Sequence, residues 1–143
     1  MKYSTIALCL MIILLHACTS QRQAATGAAS SSDTSLLMQA QWQLKTLGGQ
    51  PVPSSMARAP FLKFSEGAVQ GSAGCNSLRG AVTFPGNGQL SFGALMTTKM
   101  ACEGMDTEMK FLEALRAVDH FRIMDGKLQL MKGEAVLAQL EKV

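Results

Sequence analysis

Four cysteines divide the chemistry open to this 143-residue chain between two places. Cys18 follows an unbroken apolar run at residues 6–15, with Ala17 immediately before it and Lys2 as a minimal positive start. Such a run has the length of an export signal and is too short to span a bilayer, which takes about 20 apolar residues. A small residue followed by cysteine at the end of that run is the pattern for cleavage and acylation of the thiol, which makes Cys18 residue one of a lipid-anchored chain. His16 departs from that pattern, since small uncharged residues are usual there. The plainer alternative is an ordinary secretion signal that happens to abut a cysteine. Thr19, rather than Asp, follows the cysteine, which by general lipoprotein sorting favours the outer membrane with the protein facing the periplasm.

Cys9 leaves with the signal, so Cys75 and Cys102 are the remaining thiols. In an oxidising envelope an even pair is most simply a disulfide. The loop it closes is 28 residues counted inclusively, worth about 3 kcal/mol by chain entropy. Two free thiols, or half of a metal site, are the alternatives, and spacing alone does not bring the two cysteines together. No CxxC and no His at ligand spacing supports a metal. Met96, Met100, Met105 and Met109 are the nearest approach to a thioether copper site, but their spread reads as core filling. No cofactor is expected.

Nucleophilic catalysis needs a base beside Ser or Cys. With His16 removed, His120 is the only histidine left, at the start of a strand, where a satisfied edge residue is the simpler reading. Asp106 and Glu108 sit at a helix start, and Asp119 and Asp125 at a helix end and a turn. They do not form the facing carboxylate pair that hydrolysis uses. The expectation is therefore a non-enzymatic protein without catalytic residues.

Thirteen Lys and Arg, less Lys2, stand against ten Asp and Glu, so the processed chain carries about +2. There is no basic run with interleaved aromatics, and nucleic-acid binding has no support. Residues 19–35 are Ser, Ala, Gln, Thr and Gly with almost no large apolar side chain, the composition of a flexible tether. The expected organisation is a signal at 1–17, a lipidated cysteine and tether at 18–37, and one folded domain at 38–143.

Within that domain, period-two alternation predicts strands at 41–47, 60–64, 68–73, 80–84, 89–92, 120–124, 127–131 and 135–140. Turn chemistry separates them at Glu66-Gly67, at 85–88, at Asp125-Gly126 and at 132–134. The small residues Gly71 and Ala73 imply close approach of a neighbouring backbone. The period changes once. Phe111, Leu112, Leu115 and Val118 share one face of a helix capped by Asp106 or Thr107, with Glu108 in the first turn, where the helix dipole favours a negative charge. Hairpin-length connections make the sheet antiparallel. The fold expected is mainly β, a small barrel of about eight strands with one α-helix between the fifth and sixth.

These residues carry a resemblance. Trp42-x-Leu44-x-x-Leu47-x-Gly49-x-Pro51, Gly71-Ser72-Ala73-Gly74-Cys75-Asn76, Leu90-Ser91-Phe92-Gly93, Thr98-x-Met100-Ala101-Cys102 and Glu108-x-x-Phe111-Leu112 occur in order. Together they resemble the META domain of HslJ-like heat-shock proteins. Leu78 departs from the pattern, since an aromatic is frequent there. The resemblance implies a lipocalin-like barrel with one helix and an envelope protein linked to heat or antibiotic stress. It brings no catalytic residue or cofactor.

Two functional classes follow. One is a monomeric, lipid-anchored protein that acts through contact with an unidentified envelope protein, using a surface around Asn76, Thr98, Lys99 and Met100. The other is a small-ligand-binding module with its site in the barrel mouth. Trp42, Leu62, Phe64, Val82, Leu90, Phe92, Leu128 and Leu130 are enough to fill so small an interior, which favours the first.

Overall fold

A computed structural model describes residues 31–103 and 105–143. Cys18 and the first part of the expected tether lie outside the described residues. The elements run α1 (Ser31–Met38), β1 (Gln41–Leu47), β2 (Gln50–Pro51), β3 (Phe61–Ser65), β4 (Ala68–Ser72), β5 (Ser77–Gly86), β6 (Gln89–Thr97), α2 (Met105–Ala117), β7 (His120–Met124), β8 (Lys127–Lys132) and β9 (Ala135–Lys142).

All nine strands form one antiparallel sheet, and pairing of β1 with β9 closes eight of them into a ring. β2 hangs outside the ring on the far end of β1 through Leu47↔Gln50 and Thr46↔Pro51. This two-residue strand was not expected, because Pro51 and Pro53 argue for irregular chain. It makes α2 follow the sixth strand rather than the fifth, although within the ring alone α2 still lies between the fifth and sixth. The turns follow their residue chemistry. Asp125 and Gly126 have φ of 53° and 72°, and Asn87 and Gly88 have 51° and 74°. Both pairs place two successive residues at positive φ, as the twist of a two-residue hairpin demands.

The alternation read from the sequence is the alternation of burial. Leu62, Phe64, Val69, Val82, Leu90, Leu128, Leu130 and Leu140 point inward and are buried, joined by Trp42 and Leu44. Four inward aromatics touch across the ring: Phe64 packs on Phe84 and Phe92, with ring centres 6.3 and 6.2 Å apart, and Phe84 packs on Phe121 at 5.9 Å. The Phe64–Phe84 and Phe84–Phe121 pairs meet edge to face, a favoured geometry for such rings, while Phe64 and Phe92 are tilted. Gly71 lies directly over the backbone of Phe61, and a Cβ there would collide with its carbonyl, which is the close approach that its small size implied.

Strand register sorts the connections between the two ends of the ring. The start of β1 shares one end with the turns at 66–67, 87–88 and 125–126. The β4–β5 connection and α2 occupy the other. α1 touches β3 and β7, on opposite sides of the ring, at the first end. Its Leu37 is fully buried, and the Leu37 carbonyl accepts the Trp42 indole N–H at 2.9 Å. The part of the expected tether at 31–37 is therefore a docked helix, because Leu37 and Met38 reach the core and offset the ordering cost. At the second end α2 touches β6 and β9, and Phe111, Leu112 and Leu115 enter the core.

Candidate functional site

The chemistry-bearing side chains gather at the α2 end of the ring. β4 leaves the sheet at Ser72, and Ala73 to Asn76 turn the chain back into β5. Gly74 holds φ of 135°, and a Cβ on it would run into the Met56 methyl. This conformation points two successive backbone N–H groups, of Cys75 and Asn76, at one place. Oε2 of Glu108 sits there, accepting them at 2.9 and 2.8 Å. Paired N–H groups of this kind form a natural seat for an anion. The carboxylate also belongs to the first turn of α2, where the helix dipole favours it.

Asn76 is the hub. Its Nδ2 donates to Oε1 of Glu108 at 2.6 Å and to the Met100 carbonyl at 3.2 Å. Its Oδ1 accepts from the Met100 N–H at 2.7 Å and from the Thr98 hydroxyl at 2.8 Å. An amide side chain has two donors and two acceptor positions, and all four are used. By holding both backbone groups of Met100, Asn76 pairs with it as a strand would. The Thr98 hydroxyl in turn accepts the Ser77 N–H at 3.2 Å. Ser72, fully buried, bonds the loop from inside through Gly74 and the Asn76 carbonyl. Beside this network Cys75 and Cys102 are joined as a disulfide with Cα atoms 5.9 Å apart.

Of the residues singled out from sequence, Asn76 is 2 % exposed and fully occupied, so its place is beneath the surface. Thr98 and Met100 are exposed in their side chains yet held through the bonds above, and Lys99 is exposed between them. Glu108, 3 % exposed, is the residue that sequence reading missed as a site residue. One signal was present: Glu108 stands three and four positions before Phe111 and Leu112, so it lies on the stripe that must face the core. His120 pairs with Asp119 at 2.7 Å, both side chains about half exposed. Asp119 also accepts the Gly133 N–H at 2.9 Å. The His120 hydrogen bond first, then that N–H, hold the Asp119 carboxyl below the usual aspartate range. Among the described residues no group of three or more His, Cys, Asp or Glu is placed to hold a metal ion, and no helix is long and apolar enough to cross a membrane.

A closed antiparallel ring with a helix across its end and a clipped β4–β5 corner defines the class of protein. The META domain matches residues 35–143, and the chain belongs to that family. Three solved structures share the fold. A protein from Burkholderia xenovorans, solved by NMR, is 26 % identical, with a TM-score of 0.64 over 78 % of this chain and 87 % of its own. Another NMR structure is 22 % identical, with a TM-score of 0.60 over 75 % and 92 %. A crystal structure of a DUF4847 family protein from Bacteroides vulgatus is 16 % identical, with a TM-score of 0.56 over 75 % and 94 %. No curated protein matches the chain.

Proposed function

We propose that this chain is a lipid-anchored protein of the bacterial envelope, held at the outer membrane through acylated Cys18 and facing the periplasm. It acts without catalysis, as a monomeric scaffold that contacts other envelope proteins under heat or antibiotic stress, and its eight-strand ring serves as a small lipocalin-like barrel. The observation that carries this reading is where the polar groups at the α2 end are spent. All four bonding positions of the Asn76 amide, and both oxygens of Glu108, go into fixing one disulfide-clipped corner. That is the economy of a rigid surface, whereas a reaction centre leaves groups free to meet a substrate. The disulfide suits an oxidising compartment. The interior favours contact over a ligand cavity, since Leu62, Phe64, Val82, Leu90, Leu128 and Leu130 are each at most 2 % exposed.

Palmitate labelling of cells expressing the chain, with fractionation of their membranes, tests the anchor. Label on the wild type and none on Cys18→Ser is the expected pair. An intact initiator methionine in unlabelled, soluble protein overturns the reading. Photo-crosslinking in cells from probes spread over the domain tests the contacts, and capture from no face overturns them.

A further inference from the structure

The methionines of this domain fall into two environments. Met96, Met100, Met105 and Met109, expected as core filling, instead lie toward the α2 end, and three of them stand out in solvent. These are Met96 on β6, Met100 just after it and Met109 on α2, at 57, 58 and 55 % exposure. Met131, at the register shift between β8 and β9, is 8 % exposed, and Met38 packs against the core. Met124 is exposed too, but at the opposite end, beside the turn at 125–126. The three outer side chains carry little of the fold. Met100 is placed by Asn76, which holds its backbone N–H and carbonyl. Met96 is placed by its ladder to Arg79, and Met109 lies off the stripe of Phe111, Leu112 and Leu115 that enters the core.

The chemistry open to these side chains is oxidation. A free thiol would react first with a two-electron oxidant, but among the described residues both cysteines are already spent in the Cys75–Cys102 disulfide. That leaves thioethers as the readily oxidised sulfur. We propose that Met96, Met100 and Met109 form an oxidant-consuming surface, with small two-electron oxidants such as hypochlorous acid as its substrate class. In each event an S–O bond forms and the O–Cl bond breaks. Sulfur loses two electrons and becomes a sulfoxide, while chlorine gains them and leaves as chloride, with the proton passing to water. A sulfoxide reductase drawing two electrons from a dithiol restores the thioether and releases water. Placement decides the cost. A sulfoxide oxygen on a side chain more than half exposed meets water, whereas the same oxygen at Met131 is a polar group forced into the core. The domain therefore gives up three thioethers and keeps its fold. This activity depends on neither the anchor nor the contact reading.

Graded hypochlorite on the full chain, followed by peptide mass mapping and thermal melts, tests the proposal. Met96, Met100 and Met109 should each gain one oxygen at least about tenfold faster than Met131, which reacts only when the core opens. Exposed Met124 gives the rate of an unhindered thioether in the same molecule, and the three should keep pace with it. The melting temperature should stay within about 2 °C while the three are oxidised, then collapse as Met131 follows. The triple variant Met96→Leu/Met100→Leu/Met109→Leu keeps apolar bulk at exposed positions. It should lose its melt at a lower dose, because fewer sulfurs intercept the oxidant. Three results overturn the inference: Met131 oxidised as fast as the three, a melt that falls in step with their oxidation, or a triple variant that withstands the oxidant as well as wild type. Should the triple variant fail to fold, the mapping and melts of the wild type decide the matter by themselves.

Discussion

Glu108 grips Asn76 twice, taking its backbone N–H on one oxygen at 2.8 Å and its side-chain amide on the other at 2.6 Å, across 32 positions of sequence. The grip ties the first turn of α2 to the corner between β4 and β5. Because the pair is buried, neither partner can exchange the other for water, and breaking it leaves the desolvation cost uncompensated.

Glu108→Gln should lower stability by about 2 kcal/mol. The substituted amide must aim its NH₂ either at the two backbone N–H groups or at Nδ2 of Asn76, donor against donor. Asn76 cannot turn over in response, since its Oδ1 is committed to Met100 and Thr98. Urea unfolding checks this, and a change below about 0.5 kcal/mol would mean the carboxylate is not the anchor.

Asn76→Asp should destabilise the domain at neutral pH at least as much as Asn76→Ala. It keeps the shape but sets a second carboxylate oxygen against Oε1 of Glu108 in place of a donor, where like charges at short range repel. If Asn76→Asp melts with the wild type, the amide orientation described above is wrong.

Reduction of Cys75–Cys102 should cost about 3 kcal/mol yet leave the domain folded, because the corner is also held by Glu108 and Asn76. The two restraints act on the same loop, so their losses should not add. A cycle combining Cys75→Ser/Cys102→Ser with Glu108→Gln in urea measures the coupling, and strict additivity would show that they restrain different motions.

Asp119 gives the pH dependence its sign. His120 and the Gly133 N–H lower its folded-state pKa below the ordinary 3.8. The ionised form is thus favoured by folding, and its contribution is complete above the unfolded value and drains away as pH falls through that value toward the folded one. The stability gap between wild type and Asp119→Asn should narrow as pH falls below about 4. A gap that stays constant down to about pH 3 contradicts the assignment.

Gly71→Ala should be among the most damaging single changes. The added Cβ meets the Phe61 carbonyl and approaches Leu62 Cα at 3.2 Å, and both are backbone of the paired strand β3 that cannot step aside. A loss of about 3 kcal/mol or failure to fold is expected, read from expression and thermal melts.

Local signals made most of the fold legible. Asp125-Gly126 and the glycine-rich 85–88 carry their turn type in their residues, and the stripe from Phe111 to Val118 carries its own period. The extra strand at Gln50–Pro51 escaped because it is two residues long and holds a proline, although its partners Thr46 and Leu47 are close by in sequence, and the helix at Ser31–Met38 escaped because it rests on a few apolar residues in polar surroundings. Leu37 is the instructive case: of the adjacent Leu36 and Leu37 only the second is buried, a choice decided by Trp42 and by strands it does not pair with. Strand lengths were underread at β5 and β6, where Gly80, Gly86 and Gly93 look like breaks but serve as bulge and edge positions. At the site the cysteine pair could be read by counting, whereas the Glu108 contact to Asn76 crosses the domain and leaves only one trace, a charge on the apolar face of a helix.

The closing ladder sets Trp42 opposite Lys142, and the Val143 N–H reaches the Gln41 carbonyl at 3.0 Å. The start of β1 and the end of β9 are therefore next-door neighbours, with α1 leading into the first of them, and where the sheet is interrupted becomes nearly arbitrary. A circularly permuted version, with Val143 linked to the start of α1 and reopened at Asn87-Gly88, should rebuild the same sheet order. It would also move the chain ends to the opposite wall of the ring.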